Sequence, residues 1–134
     1  MAEKDIIALG ANGLDFGDYS LASKTKKDGF SWNGDIYKVK TFNEITKLEK
    51  NGMFAYESEP GTNVKNFKET AEGVSFEVKG SATAQIIIGL AEDCDYDVYM
   101  DGVQIDRMKT NISGKLALNA ELNGTSKTIK VVKC

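Results

Sequence analysis

In a chain of 134 residues without a single histidine, carboxylates are the side chains best placed for acid–base chemistry. Glu57 with Glu59, Asp93 with Asp95 and Asp15 with Asp18 form close pairs. A glycosidase needs two carboxyl groups about 5 to 10 Å apart across a cleft, one with a raised pKa. Each of these pairs lies in or beside a run of turn residues, where acids serve turn geometry and solubility. The expectation is therefore no catalytic residue and no enzyme. The missing histidine also removes the usual serine and cysteine triads and most zinc sites. Glu92-Asp93-Cys94-Asp95 places three carboxylates in four residues, with Asp97 and Asp101 nearby. Calcium takes oxygen ligands from loops of this kind, which makes Asp93 and Asp95 the calcium candidates. The EF-hand spacing is absent, and the run reads first as an acidic hairpin tip, with no metal and no cofactor.

Aromatic side chains are the other chemical resource, since sugars stack on Trp and Tyr faces while polar neighbours take up the hydroxyls. Trp32, Tyr37, Tyr56 and Tyr99 are the candidates for such a glycan site. The competing expectation for each is core or cross-strand packing. A net charge of −3 leaves no basic surface for phosphates, so no nucleic-acid partner is expected. Lys24-Thr25-Lys26-Lys27, the only cationic cluster, reads as part of a polar loop from Ser20 to Asp28. No apolar run is long enough to span a membrane. The opening MAEKDIIALG has only a four-residue apolar run, too short for the core of a signal peptide. Synthesis in the cytoplasm is expected, with a final place in a virion or outside the cell left open, as is a leader removed beforehand. Cys94 and Cys134 read as free thiols, although a bridge between them or one between chains through Cys134 remains compatible with their positions.

The elements that carry these residues are strands. Tyr96, Val98 and Met100 alternate with Asp97 and Tyr99, and Asp101-Gly102 then turns the chain into Val103 to Lys109. Leu116, Leu118, Ala120 and Leu122 make a clean apolar row, and Asn123-Gly124 is expected to close that strand onto Ile129 to Val132. Residues 96 to 132 thus read as a four-stranded meander. Gly29 to Trp32 and Asp35 to Lys40 flank Asn33-Gly34 as a second hairpin. Ile45 to Glu49 has the composition of half a helix, but Asn51-Gly52 and the run from Met53 to Glu57 favour a third hairpin. Val64 to Thr70 and Val74 to Lys79 form another around Gly73, and Pro60-Gly61 is a turn between two halves of the chain. Ala84 to Leu90, β-branched and continuous, reads as a central strand covered on both sides.

About a dozen such segments at regular spacing, with no helical period, point to one all-β domain over residues 1–134, an antiparallel β-sandwich built from consecutive hairpins. Residues 1–10 read as an N-terminal arm or edge strand. Edges carry unpaired N–H and C=O groups that template other chains. Self-association is therefore expected through Ile6, Ile7 and Leu9 at one edge and through Ile129 and Val131 in the terminal strand, Thr128 to Lys133, at another.

The string from Lys38 through Asn51-Gly52 to Pro60-Gly61-Thr62 resembles a group of small bacterial proteins often labelled endosialidase-like. The last hairpins are similar as well, through Tyr96-Asp97-Val98-Tyr99-Met100-Asp101-Gly102, Met108 to Asn111 and Ser113-Gly114-Lys115. The resemblance carries no catalytic residue over, because a true endosialidase needs a propeller domain far longer than this chain. What it implies is context, a phage-like or cell-surface particle built from repeated β-rich subunits. The closing segment also looks like sandwich modules appended to bacterial surface glycosidases. A structural protein that self-associates as a homo-oligomer in a phage-like particle, surface assembly or filament is the leading expectation, and a glycan-binding module is the second.

Overall fold

A computed structural model describes residues 6–134. It contains thirteen strands. In chain order they are β1 (Ile7–Leu9), β2 (Leu14–Phe16), β3 (Thr25–Trp32), β4 (Asp35–Thr41), β5 (Thr46–Lys50), β6 (Met53–Glu59), β7 (Asn63–Thr70), β8 (Gly73–Lys79), β9 (Thr83–Gly89), β10 (Asp95–Met100), β11 (Val103–Lys109), β12 (Lys115–Glu121) and β13 (Ser126–Lys133). Among the described residues no helix is long and apolar enough to cross a membrane.

Two antiparallel sheets form the expected sandwich. The seven-stranded sheet runs β1-β2-β7-β8-β13-β10-β11 and the six-stranded sheet runs β12-β9-β6-β5-β4-β3. Asn33-Gly34, Asn51-Gly52 and Asp101-Gly102 all sit at positive φ, between 52° and 85°, as a tight hairpin turn requires. The segment beginning at Thr46 is accordingly a strand of a third hairpin, not half of a helix.

Most strands bury one row of side chains against the opposite sheet, while the outermost strands β3 and β11 bury none fully. Tyr56, Phe16, Phe67 and Phe76 meet at the centre, with edge-to-face contacts of 5.2 Å between Phe16 and Tyr56 and 5.5 Å between Tyr56 and Phe76. Burying each ring contributes about 1.5–3 kcal/mol. A polar seam runs beside this cluster. The Tyr56 hydroxyl and the Ser58 hydroxyl each lie 2.8 Å from Thr62 Oγ1, and Thr46 Oγ1 donates to the Thr62 carbonyl at 2.8 Å. Among the described residues no buried side-chain nitrogen or oxygen lacks a partner.

Four expectations change. β3 begins at Thr25, so Thr25 to Asp28 belong to a strand and not to a loop; the pairing of Thr25 with Thr41 and of Lys26 with Lys40 places them in the ladder with β4. β9 is covered on one face only: Ile86 and Ile88 are fully buried, Ile87 is half-buried and Gln85 is exposed. The meander from 96 to 132 does not exist, because β12 crosses to the other sheet and β13 returns to lie between β8 and β10. Asn123-Gly124 has the backbone of a hairpin turn, φ 46° and 83°, but it joins strands of different sheets, with the Gly124 amide donating to the Gly80 carbonyl at 2.7 Å. Burial decides this. Beyond β12 the returning strand would have β12 alone as a neighbour, whereas in its actual place it lies between β8 and β10 with Ile129 and Val131 0% and 1% exposed.

The fourth correction concerns the edges. β13 lies between β8 and β10, with neighbours on both sides from Ile129 to Val132, so Ile129 and Val131 are core residues of an interior strand. β1 does lie at an edge, but Ile6 and Ile7 are buried in the chain's own core and only Leu9 is exposed. The part of the N-terminal arm in residues 1–5 lies outside the described residues.

Candidate functional site

The carboxylate pairs are dispersed. Glu57 and Glu59 both point outward from β6, on either side of the buried Ser58. Asp15 accepts the Asn66 amide at 2.9 Å and the buried Asp18 accepts the Ser20 amide at 3.0 Å, so each is engaged in holding a loop. Asp93 lies in the turn before β10, and Asp95, the first residue of β10, faces Lys109 across the ladder. Among the described residues no group of three His, Cys, Asp or Glu side chains is placed to hold a metal ion.

The four aromatic candidates do not converge. Tyr56 is fully buried, and burial pushes its hydroxyl well above the ordinary tyrosine value although Thr62 and Ser58 bond to it. Tyr37 is 4% exposed and packs beside the half-buried Trp32, ring centroids 6.2 Å apart. Tyr99 lies in the other sheet, on its outward face. A platform of all four is therefore excluded: two of them are core residues, and the other two belong to different sheets.

A cleft of about 600 Å³ opens where the sheets part, lined by Lys50, Asn51, Phe54, Glu69, Tyr96 and Ser113 among others. Lys50 Nζ lies 3.3 Å from Glu69 and 3.7 Å from Asp35, both carboxylates. Burial lowers the Lys50 pKa, but the pull of Glu69, Tyr37 and Asp35 outweighs it and holds the ammonium above its ordinary value. Asn51 donates to Asp35 at 2.8 Å and accepts the Ile36 amide at 2.9 Å. This ties the cleft to the turn that carries Trp32. The named residues of this corner come from five strands and two turns, and no local pattern marks them as neighbours.

The sheet edges differ from one another. β1 has only three residues. β3 carries Lys26 and Lys27 and is broken by an irregularity between Lys27 and Phe30. β11 slips by one residue against β10 between Val98 and Tyr99, and its Asp106, opposite the inward Val98, is an inward-facing charge. Short length, lysines, bulges and inward charges are all devices that prevent edge-to-edge pairing. β12 has none of the inward charges or bulges. Its seven residues pair with β9 in unbroken register from Lys115 opposite Gly89 to Glu121 opposite Thr83.

The direction of the β12 backbone groups follows from its ends. The Leu90 amide donates to the Gly114 carbonyl at 2.7 Å, so Gly114 and then Leu116, Leu118 and Ala120 direct their backbone groups at β9. Lys115 directs its groups the other way, where Asn111 satisfies both: Asn111 N donates to the Lys115 carbonyl at 3.1 Å, and Lys115 N donates to Asn111 Oδ1 at 3.0 Å. The N–H and C=O of Ala117, Asn119 and Glu121 therefore face away from the sheet. Among the described residues nothing bonds to them. Nothing in the apolar alternation of residues 115–121 separates such an edge from an interior strand.

Compared with family models, with curated proteins and with solved structures, the chain finds no match.

Proposed function

We propose that the protein is a non-enzymatic assembly subunit whose sandwich self-associates through an open sheet edge, as a repeated element of a phage-like particle, a cell-surface assembly or a filament. The observation that carries this reading is β12, an unbroken edge whose outward N–H and C=O groups on Ala117, Asn119 and Glu121 have no partner within the described residues. A strand added there gains backbone hydrogen bonds without any loss to the existing ladder. Light scattering coupled to size-exclusion chromatography, run over a concentration series with reductant present, tests it. The expected mass exceeds that of one chain and rises with concentration. A single-chain mass persisting to millimolar protein overturns the reading.

A glycan-binding module is the second reading, favoured by the cleft. Lys50, Asn51, Glu69 and Ser113 supply donors and acceptors around the ring of Phe54, the mixture that sugar hydroxyls and an apolar sugar face require. A glycan array probed with the wild type and with Phe54→Ala tests it, and the absence of any sugar bound by the wild type alone rejects it.

A further inference from the structure

We infer that two copies of this chain pair β12 against β12, antiparallel, about a two-fold axis at Leu118, joining their six-stranded sheets into one. This rests on the reading above that β12 is an association edge, and it specifies the partner and the register.

The outward row of β12 is Lys115, Ala117, Asn119 and Glu121, all exposed. With the axis at Leu118, Ala117 faces Asn119 of the second copy and Lys115 faces Glu121, and by symmetry each pair occurs twice. Ala117 and Asn119 have free outward backbone groups and can exchange hydrogen bonds with their counterparts, whereas Lys115 and Glu121 meet through their side chains alone, because Asn111 already holds the Lys115 N–H and C=O. The end charges are then complementary. Sliding the strands by two residues in either direction sets neither Lys115 opposite Glu121 nor Glu121 opposite Lys115. A parallel arrangement would bring Lys115 beside Lys115. In the single chain Lys115 Nζ rests 4.6 Å from the Phe54 ring, and the ion pair with Glu121 replaces that contact.

A second observation lies at the same end of the sandwich. β11 is the outermost strand of the facing sheet, joined to β12 by the short loop that holds Ile112, and all its residues but Met108 are exposed. Val103, Ile105 and Ile112 are 65%, 50% and 78% exposed, half of the large apolar side chains left in solvent among the described residues. Exposed apolar surface gathered beside an open edge marks an interface, and a second sheet continuing past β12 would run under the overhanging β11. The guarded condition of β1, β3 and β11 then restricts edge-to-edge pairing to β12, an isologous contact that closes on itself, so the dimer is the unit that a larger assembly would repeat through other surfaces.

Charge reversal tests the register in a Cys134→Ser background, with circular dichroism to confirm folding. Lys115→Glu alone sets Glu against Glu121, and Glu121→Lys alone sets Lys against Lys115, twice per dimer in each case. Each variant should dimerise about tenfold more weakly or worse. An equimolar mixture of the two variants restores both ion pairs and should recover dimers with wild-type affinity. Dimers lost on Ala117→Pro but indifferent to both reversals would overturn the register while leaving β12 as the edge. Dimers that survive Ala117→Pro would overturn β12 itself, and a wild type that is only monomeric would overturn the assembly reading as well.

Discussion

β12 and β13 follow one another in the chain, span seven and eight residues, and alternate apolar with polar side chains in the same way. One ends as an edge and the other as an interior strand. In β12 Leu116, Leu118 and Ala120 face the core, and in β13 Ile129 and Val131 do so, with exposures between 0% and 6%. Their side chains are thus equally committed, and the whole difference lies in the backbone. Every β13 residue from Tyr96's partner Lys133 back to Ile129 has β10 on one side, and β8 covers the other, whereas β12 has β9 alone. A strand with two neighbours is a structural member, while a strand with one is also a surface for another chain.

The comparison breaks most visibly under proline. Lys130 and Ala117 are both exposed at the middle of their strands. Lys130→Pro removes a ladder donor between two neighbours and orphans its acceptor, a cost of about 1–3 kcal/mol before the ring's own clashes are counted. Thermal or urea unfolding should show a severe loss or no folded protein. Ala117→Pro removes an N–H that points to solvent and should leave the melting temperature within a few degrees of wild type. Equal damage from the two substitutions would show that the β12 edge is not open.

Gly73 sharpens the same contrast. It faces β13 with φ 152°, and a β-carbon there would run into the Val131 carbonyl oxygen. Gly73→Ala should cost about 3 kcal/mol in chemical denaturation, through the sterically disfavoured backbone and a displaced ladder. No comparable backbone contact confines the free side of β12, so a glycine there could accept a side chain without this penalty.

The smallest effect concerns the neighbour of β13 on its other side. The hydrogen bond from Arg107 Nε at 2.8 Å, opposed by desolvation and aided by the guanidinium charge, holds the Asp97 carboxyl below its ordinary value. A depressed folded-state pKa contributes stability above the unfolded carboxylate range and loses it as pH falls through the folded value. Arg107→Gln should move the Asp97 titration, followed by carboxyl-carbon NMR, up toward the ordinary range, with a barely measurable change in melting temperature at neutral pH.

Much of this molecule was legible in residue order. The hairpins at Asn33-Gly34, Asn51-Gly52 and Asp101-Gly102 follow from turn residues that accept positive φ, and the inward rows follow from a side-chain period of two. Both are local rules, and both hold. The third hairpin could be chosen over a helix because Asn51-Gly52 interrupts the helical composition. Asn123-Gly124 obeys the same local chemistry and still joins different sheets, since a turn sets the chain's reversal but not the layer in which the next strand finds cover. Among the aromatic candidates, Tyr37 and Tyr56 proved to be core residues for a related reason. Trp32, Tyr37, Tyr56 and Tyr99 are equally amphipathic in sequence, and only packing buries Tyr56 behind Thr62 and leaves Trp32 at a rim.

Residue order by itself determined that this chain is all-β, that it forms a two-layer sandwich and, in the alternating strands, which side chains face inward. The tertiary structure alone decided strand adjacency, and with it which backbone remains unpaired. The physical reason is that side-chain burial is written in each strand's own pattern, while backbone pairing depends on neighbours that are distant in sequence. The edge proposed for association belongs to that second class. It is built from the main chain of Ala117, Asn119 and Glu121, whose outward groups are the same as those of any other residue until the sheet ends beside them.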